Sequence, residues 1–136
     1  MKKISRYVLA AVVFAAFLAS GIALADGVGV RVGKKDGIGS YLYCDDTGMT
    51  LYHFKKDSPG KSACEGECLV KWPIHGADKV VAMDGLKQSD FGTITRADGK
   101  KQTTYKGMPI YFFSGDKVKG DTNGHGVKDV WFVVTP

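Results

Sequence analysis

The stretch CEGECLVKWP, Cys64 to Pro73, places two cysteines four positions apart and closes on a Trp-Pro pair. Such a pair can be a structural disulfide, a redox-labile dithiol or a pair of thiolate metal ligands. Covalent haem is not expected: a c-type site needs Cys-x-x-Cys-His, whereas the spacing here is longer by one and Leu69 stands in the histidine position. A thioredoxin-type centre needs two intervening residues in a βαβ context, and neither is present. The structural bridge between Cys64 and Cys68 is the favoured reading, with Gly66 supplying the backbone freedom of a tight loop. On a regular helix, residues four apart hold their Cβ atoms about 5–6 Å apart, against about 3.5–4.5 Å in a disulfide. A helical turn here must therefore distort to close the bridge. Cys44 is the odd cysteine, open to three roles: a buried thiol, an intermolecular bridge, or an exchange partner for the other two.

Soft ligands extend beyond the cysteines to His53, His75 and His125 and to Met49, Met83 and Met108. These residue types suit copper in an oxidising compartment, and a three-residue gap between cysteines also occurs in copper chaperones of the cytochrome-oxidase assembly type, on a different fold. A copper-handling or electron-transfer site would draw on Cys64, Cys68, His53 and His75, and it requires them to converge in space. Met49 and Met108 serve equally well as core fillers. Strand alternation sets His53 opposite Tyr52 and Phe54, on a solvated face or at a groove. In DTNGHGVKD, Asp121, Asn123, His125 and Asp129 stand at positions one, three, five and nine of a calcium loop, with Gly126 at the sharp turn. Against calcium, His125 replaces an oxygen donor and Phe132 fills the place of the closing glutamate. An Asx-rich turn closed by its own hydrogen bonds is the favoured alternative. No cofactor is required by these residues; copper and calcium are the two ions they could take.

Tyr52, Phe54 and Trp72 recur as Tyr111, Phe113 and Trp131. The recurrence fits a core in which each half buries its Tyr-x-Phe face beneath its own Trp, with Asp57 and Asp116 turning the chain afterwards. A platform for sugars or other flat ligands is the alternative, since Tyr and Trp serve that purpose too. Nothing in the chain matches a serine or cysteine triad, a phosphate-cradling loop or a supported pair of carboxylates, so no catalytic residue is expected.

The compartment follows from the N-terminus. Lys2, Lys3 and Arg6 precede an apolar run from Tyr7 to Leu18, and Ala23-Leu24-Ala25 supplies a small-residue cleavage triplet. This is the pattern of a secretory signal peptide covering residues 1–25, too short in its apolar run for a span of about 20 residues. A periplasmic or secreted location without a stable membrane anchor is expected. Cleavage lowers lysine plus arginine from 19 to 16 against 14 acids, leaving a balance of +2 in place of +5. The high whole-chain pI is then mostly a targeting signal, and nucleic acid is not an expected partner. About 110 residues remain, enough for one modest core.

The elements that must position these residues read as short strands. Asp26 to Gly39 is glycine-rich and is expected to be a weakly ordered lead-in, with an edge strand as the alternative. Tyr41–Cys44 and Met49–Phe54 flank an Asp/Gly turn and read as a hairpin. A second hairpin turns at Asp98-Gly99, with a further break at Lys106-Gly107, and DVWFVV reads as a buried strand. Helix signal is confined to one turn around Glu65–Trp72. The segments Gly48–Trp72 and Gly107–Trp131 share Gly-Met, Tyr-x-Phe, an Asp and a closing Trp at matched distances, with Gly60 and Gly120 corresponding at an offset of one position, which marks an internal repeat. The expected fold is a small, mainly β, antiparallel domain over residues 40–136, built from homologous halves at about 40–76 and 92–135 and related by an approximate two-fold.

The ordered motifs, from Gly-Met-x-Leu-Tyr-x-Phe-x-x-Asp through the paired cysteines to Trp-Pro, and then DFGTITRADGKKQTTYKGMPIYFFSGDKVKGDTNGHGVKDVWFVV, resemble the secreted-repeat family of predicted bacterial lipoproteins. The resemblance spans about Tyr41 to Val134. It implies a β-rich secreted or envelope module, with no catalytic residues to carry over. This chain lacks the family's lipid-attachment cysteine and adds Cys44. A non-catalytic binding or envelope module is the resulting expectation, acting on an envelope protein or a small ligand.

Overall fold

Two tyrosines stand at the centre of the molecule, each hydrogen-bonded to the other's backbone: Tyr52 N donates to Tyr111 O at 2.8 Å and Tyr111 N to Tyr52 O at 2.9 Å. The computed structural model describes residues 27–136; the expected signal peptide lies outside the described residues. The chain forms β1 (Val28–Lys35), β2 (Gly39–Cys44), β3 (Tyr52–Phe54), a one-turn helix α1 (Cys68–Lys71), β4 (Val80–Ala82), β5 (Phe91–Thr95), β6 (Lys101–Tyr105), β7 (Met108–Pro109) and β8 (Trp131–Val133). Short 3-10 turns cover Gln88–Asp90 and Val127–Asp129.

These strands make three small sheets, ordered β2-β1-β4, β3-β8 and β5-β6-β7. All pairings are antiparallel except β1 with β4, which is parallel. The fold is thus mainly β with one short helix where Glu65–Trp72 was expected to supply it. The turn at Lys106-Gly107 has both residues at positive φ (50° and 83°), the two-residue hairpin geometry that matches strand twist.

The glycine-rich segment is corrected by the structure. It is neither a loose lead-in nor an edge: β1 occupies the middle of its sheet, with Val30 fully buried. Its glycines have a packing use. A Cβ on Gly33 would come within 2.8 Å of the Tyr41 ring across the ladder, so the absence of a side chain lets the tyrosine lie over the strand.

The approximate two-fold runs through the Tyr52–Tyr111 pair. On one side β8 joins β3 with Phe54 opposite Trp131. On the other, Ile74 bridges Tyr111, and Phe112 N and Ser114 N donate to Pro73 O and Lys71 O. This second pairing has the register of the first, but Pro73 has no N–H to return and the ladder stops short. Alternation along the central strands then divides the core. Leu51 and Ile110 enter an aliphatic cluster with Val30, Leu42, Val80 and Val134. Tyr52 and Tyr111 enter an aromatic cluster with Phe54, Trp72 and Trp131. Both faces of the central pair are therefore covered, and Leu51, Tyr52, Ile110 and Tyr111 are all fully buried.

Candidate functional site

The repeated aromatics form one stack, and they form it by crossing between the halves. Phe54 stacks on Trp131 with ring centroids 4.2 Å apart, Trp131 on Trp72 at 3.8 Å and 3°, and Trp72 on Phe113 at 4.3 Å. The expected arrangement, each half beneath its own Trp, holds for the tyrosines only: Tyr52 meets Trp72, and Tyr111 meets Trp131, edge-on. Each phenylalanine instead covers the other half's tryptophan. The exchange follows from the central antiparallel pairing, which brings each outer Trp-bearing segment beside the strand it pairs with. For Trp131 that strand is β3, in the first half.

The aspartates cross in the same way. Tyr52 Oη donates to Asp116 Oδ2 at 2.6 Å, and Tyr111 Oη to Asp57 Oδ2 at 2.7 Å. The second oxygen of each carboxylate accepts a backbone N–H in its own half, Ala63 for Asp57 and Asn123 for Asp116. Burial raises both carboxylates above their ordinary range, and these hydrogen bonds oppose the rise. Both phenols are pushed well above theirs, first by burial. The Tyr-x-Phe-x-x-Asp motif is thus an inter-repeat clamp. In a double-mutant cycle, Tyr52→Phe with Asp116→Asn should show a coupling of about 0.5–3 kcal/mol, larger than that of Tyr52→Phe with Asp57→Asn. Urea denaturation of the set measures both, and a larger within-repeat coupling would contradict the crossed clamp.

Cys64 and Cys68 are joined in a disulfide with Cα atoms 5.4 Å apart. The expected conflict with helical geometry is avoided because α1 begins at Cys68, leaving Cys64 outside it, and Gly66 takes a left-handed φ of 57° between them. Cys44 is a buried free thiol. The chain-entropy relation assigns a bridge over so short a loop about 2 kcal/mol. The paired Cys64→Ala, Cys68→Ala variant should lose that much in denaturant unfolding, whereas an unchanged midpoint would mean that the bridge is dispensable.

Sequence reasoning missed the group that holds this loop. Arg96, buried at 6% exposure, donates from Nη1 to Ser62 Oγ (2.7 Å) and Gln102 Oε1 (2.8 Å), from Nη2 to Cys64 O (2.6 Å), and from Nε to Asp98 (3.1 Å). Ser62 Oγ in turn lies 2.6 Å from Tyr111 Oη. A lone Arg ahead of an Asp-Gly turn carries no periodic signal, and apart from Asp98 in the turn itself its partners are more than thirty positions away or across a hairpin.

The other candidate ligands do not assemble. His75 is buried, with Nδ1 2.8 Å from Thr103 Oγ1 and its ring against Phe112; burial lowers its pKa to about 4. His53 is half-buried on the other strand face, tilted against Phe132, and burial lowers its pKa as well. In the calcium-like loop, Asp121 Oδ2 accepts from Lys117 N and Val118 N, Asn123 N donates to Asp116, and His125 Nδ1 accepts from Val133 N. Asp129 is exposed. Among the described residues, no group of three or more His, Cys, Asp or Glu side chains is placed to hold a metal ion.

What the stack does build is a groove of about 690 Å³. Its floor is Phe54, Trp131, Trp72 and Phe113. One wall is α1 with Cys68 and Val70; the other carries Val127 and Val130. Cys68 and Val127 lie equally far before their tryptophans, as do Lys71 and Val130, so the walls are equivalent segments of the two repeats. Neither half has the groove alone. Val70 is 69% exposed on its wall, and Lys56, Lys71, Lys128 and Glu67 ring the opening.

No helix among the described residues is long and apolar enough to cross a membrane. Neither the curated proteins nor the solved structures contain a match to the chain. A family model matches residues 41–75 and 92–135, the two halves that meet at the Tyr52–Tyr111 pair. On this match, which covers more than half of the sequence, the chain belongs to the family described as a secreted repeat of unknown function.

Proposed function

We propose that this protein is a non-catalytic module of the extracellular or envelope compartment that binds a small ligand in the groove between its repeats. The observation that carries the proposal is the groove itself: an apolar floor and walls, with a few charged groups at the opening. Ligand sites typically have this composition at volumes of roughly 300–1,000 Å³. The rigidity of the floor supports the same reading. The four rings are fixed by stacking and by the buried Tyr-Asp clamps beneath them, so the groove is formed before any ligand arrives and little ordering cost falls on binding.

The test is a fragment library screened against the purified protein by two-dimensional NMR, following the indole N–H resonances of Trp72 and Trp131. Hits that shift these two resonances together support the proposal. A library that leaves both unmoved, or whose hits gather elsewhere, overturns it.

A further inference from the structure

Resting on the groove as the binding site, we infer that its ligand is a planar aromatic compound bearing an acidic group, held with its π face toward the edges of the tryptophan stack and its acid at the lysine rim. Two observations lead there. The first is which part of each ring the groove offers. Trp72 is sandwiched between Trp131 and Phe113, and Trp131 between Phe54 and Trp72. Both faces of both indoles are thereby covered, and the tryptophans keep only 4% and 3% exposure. What the two indoles leave toward the groove is therefore ring edge, not ring face. A sugar platform needs an open indole face, so the sugar reading of these aromatics is disfavoured. Ring edges carry the positive end of the aromatic quadrupole, and they attract the negative face of another ring in the edge-to-face manner. A saturated ligand gains nothing from that polarity.

The second observation is charge. Lys56, Lys71 and Lys128 line the groove against a single acid, Glu67. All four are exposed, so a ligand anion meets a cationic rim without burying an unpaired charge. Lysine also supplies point charges rather than a planar fork, so the rim fixes the sign of the ligand's acidic group and leaves its geometry free. The apolar walls at Val70, Val127 and Val130 accept the remainder of a flat hydrocarbon body.

Three probes separate the elements of this inference: 2-naphthoate, which is planar and anionic; 2-naphthalenemethanol, planar and neutral; and cyclohexylacetate, anionic and saturated. Each is titrated into the purified protein at low ionic strength while the Trp72 and Trp131 indole resonances are followed. With exposed ion pairs worth up to about 1 kcal/mol each, 2-naphthoate should bind roughly tenfold more tightly than the alcohol. On the same basis, Lys71→Gln and Lys128→Gln should each weaken it about two- to fivefold. If cyclohexylacetate binds as tightly as 2-naphthoate, the ring-edge preference is overturned while the groove remains a binding site. If the neutral alcohol binds as tightly, the charge preference is overturned in the same way. If none of the three moves the indole resonances but the fragment screen finds other groove ligands, this inference alone fails; if the screen also finds none, the groove reading fails with it.

Discussion

Trp131→Ala is expected to lower the unfolding free energy by about 3–5 kcal/mol, the range for truncating a large buried aromatic. Set against the 5–15 kcal/mol that holds a typical domain together, this is the most damaging single substitution expected here. The reason is position. Trp131 touches Phe54 and Trp72 face to face and Tyr111 edge-on, at 3% exposure. Alanine would leave a cavity between rings that are themselves pinned by the central strands, so the site has little room to collapse. Phe132, on the opposite face of the same strand and only partly buried, serves as the control: Phe132→Ala should cost clearly less. Urea denaturation compares the two. A Trp131→Ala loss below about 1 kcal/mol, or one equal to that of Phe132→Ala, would mean that the stack is not the keystone of the fold. Trp72→Ala combined with Trp131→Ala should cost less than the sum of the single losses, because the two rings share their closest contact.

The second large effect is a loss of stability in mild acid that originates at His75. Its folded-state pKa is about 4 against an ordinary 6.5 because burial disfavours the imidazolium. The unfolded chain therefore takes up a proton near pH 6.5, while the folded one does not until about pH 4. Between these values the unfolded state binds more protons, so stability is full above pH 6.5 and falls as the pH is lowered toward 4. The displacement corresponds to about 3 kcal/mol. Asp57 and Asp116 act in the opposite sense. Their raised folded pKa values mean that stability is gained as they protonate, with the gain complete near the ordinary carboxylate value of 3.8. Subtraction isolates the histidine: the stability advantage of the wild type over His75→Gln should shrink by about 3 kcal/mol between pH 7 and pH 4. An advantage that is constant with pH would show that His75 does not stay neutral in the fold.

Much of this protein could be read from its residues in order. The strand character, the hairpin turns at Asp98-Gly99 and Lys106-Gly107, the one helical turn and the duplication all follow from local properties, namely alternation, turn chemistry and spacing along the chain. The Cys64–Cys68 bridge belongs with them, because two thiols four positions apart with a glycine between them have few other places to go. Asp26–Gly39 failed as a local reading because its glycines were counted as loss of order. One of them, Gly33, serves to admit Tyr41 across the ladder, and that depends on a strand whose pairing is set elsewhere. The repeat was legible, but the manner of its closure was not. That Phe54 lies on Trp131, and that Tyr52 donates to Asp116, is decided by the antiparallel meeting of the two central strands, a choice of partner that no spacing within either half encodes. The groove is the further consequence. Its walls are equivalent segments of two repeats, its floor is a stack that neither repeat can build alone, and Lys128 joins Lys56 and Lys71 in its lining only when both halves fold together.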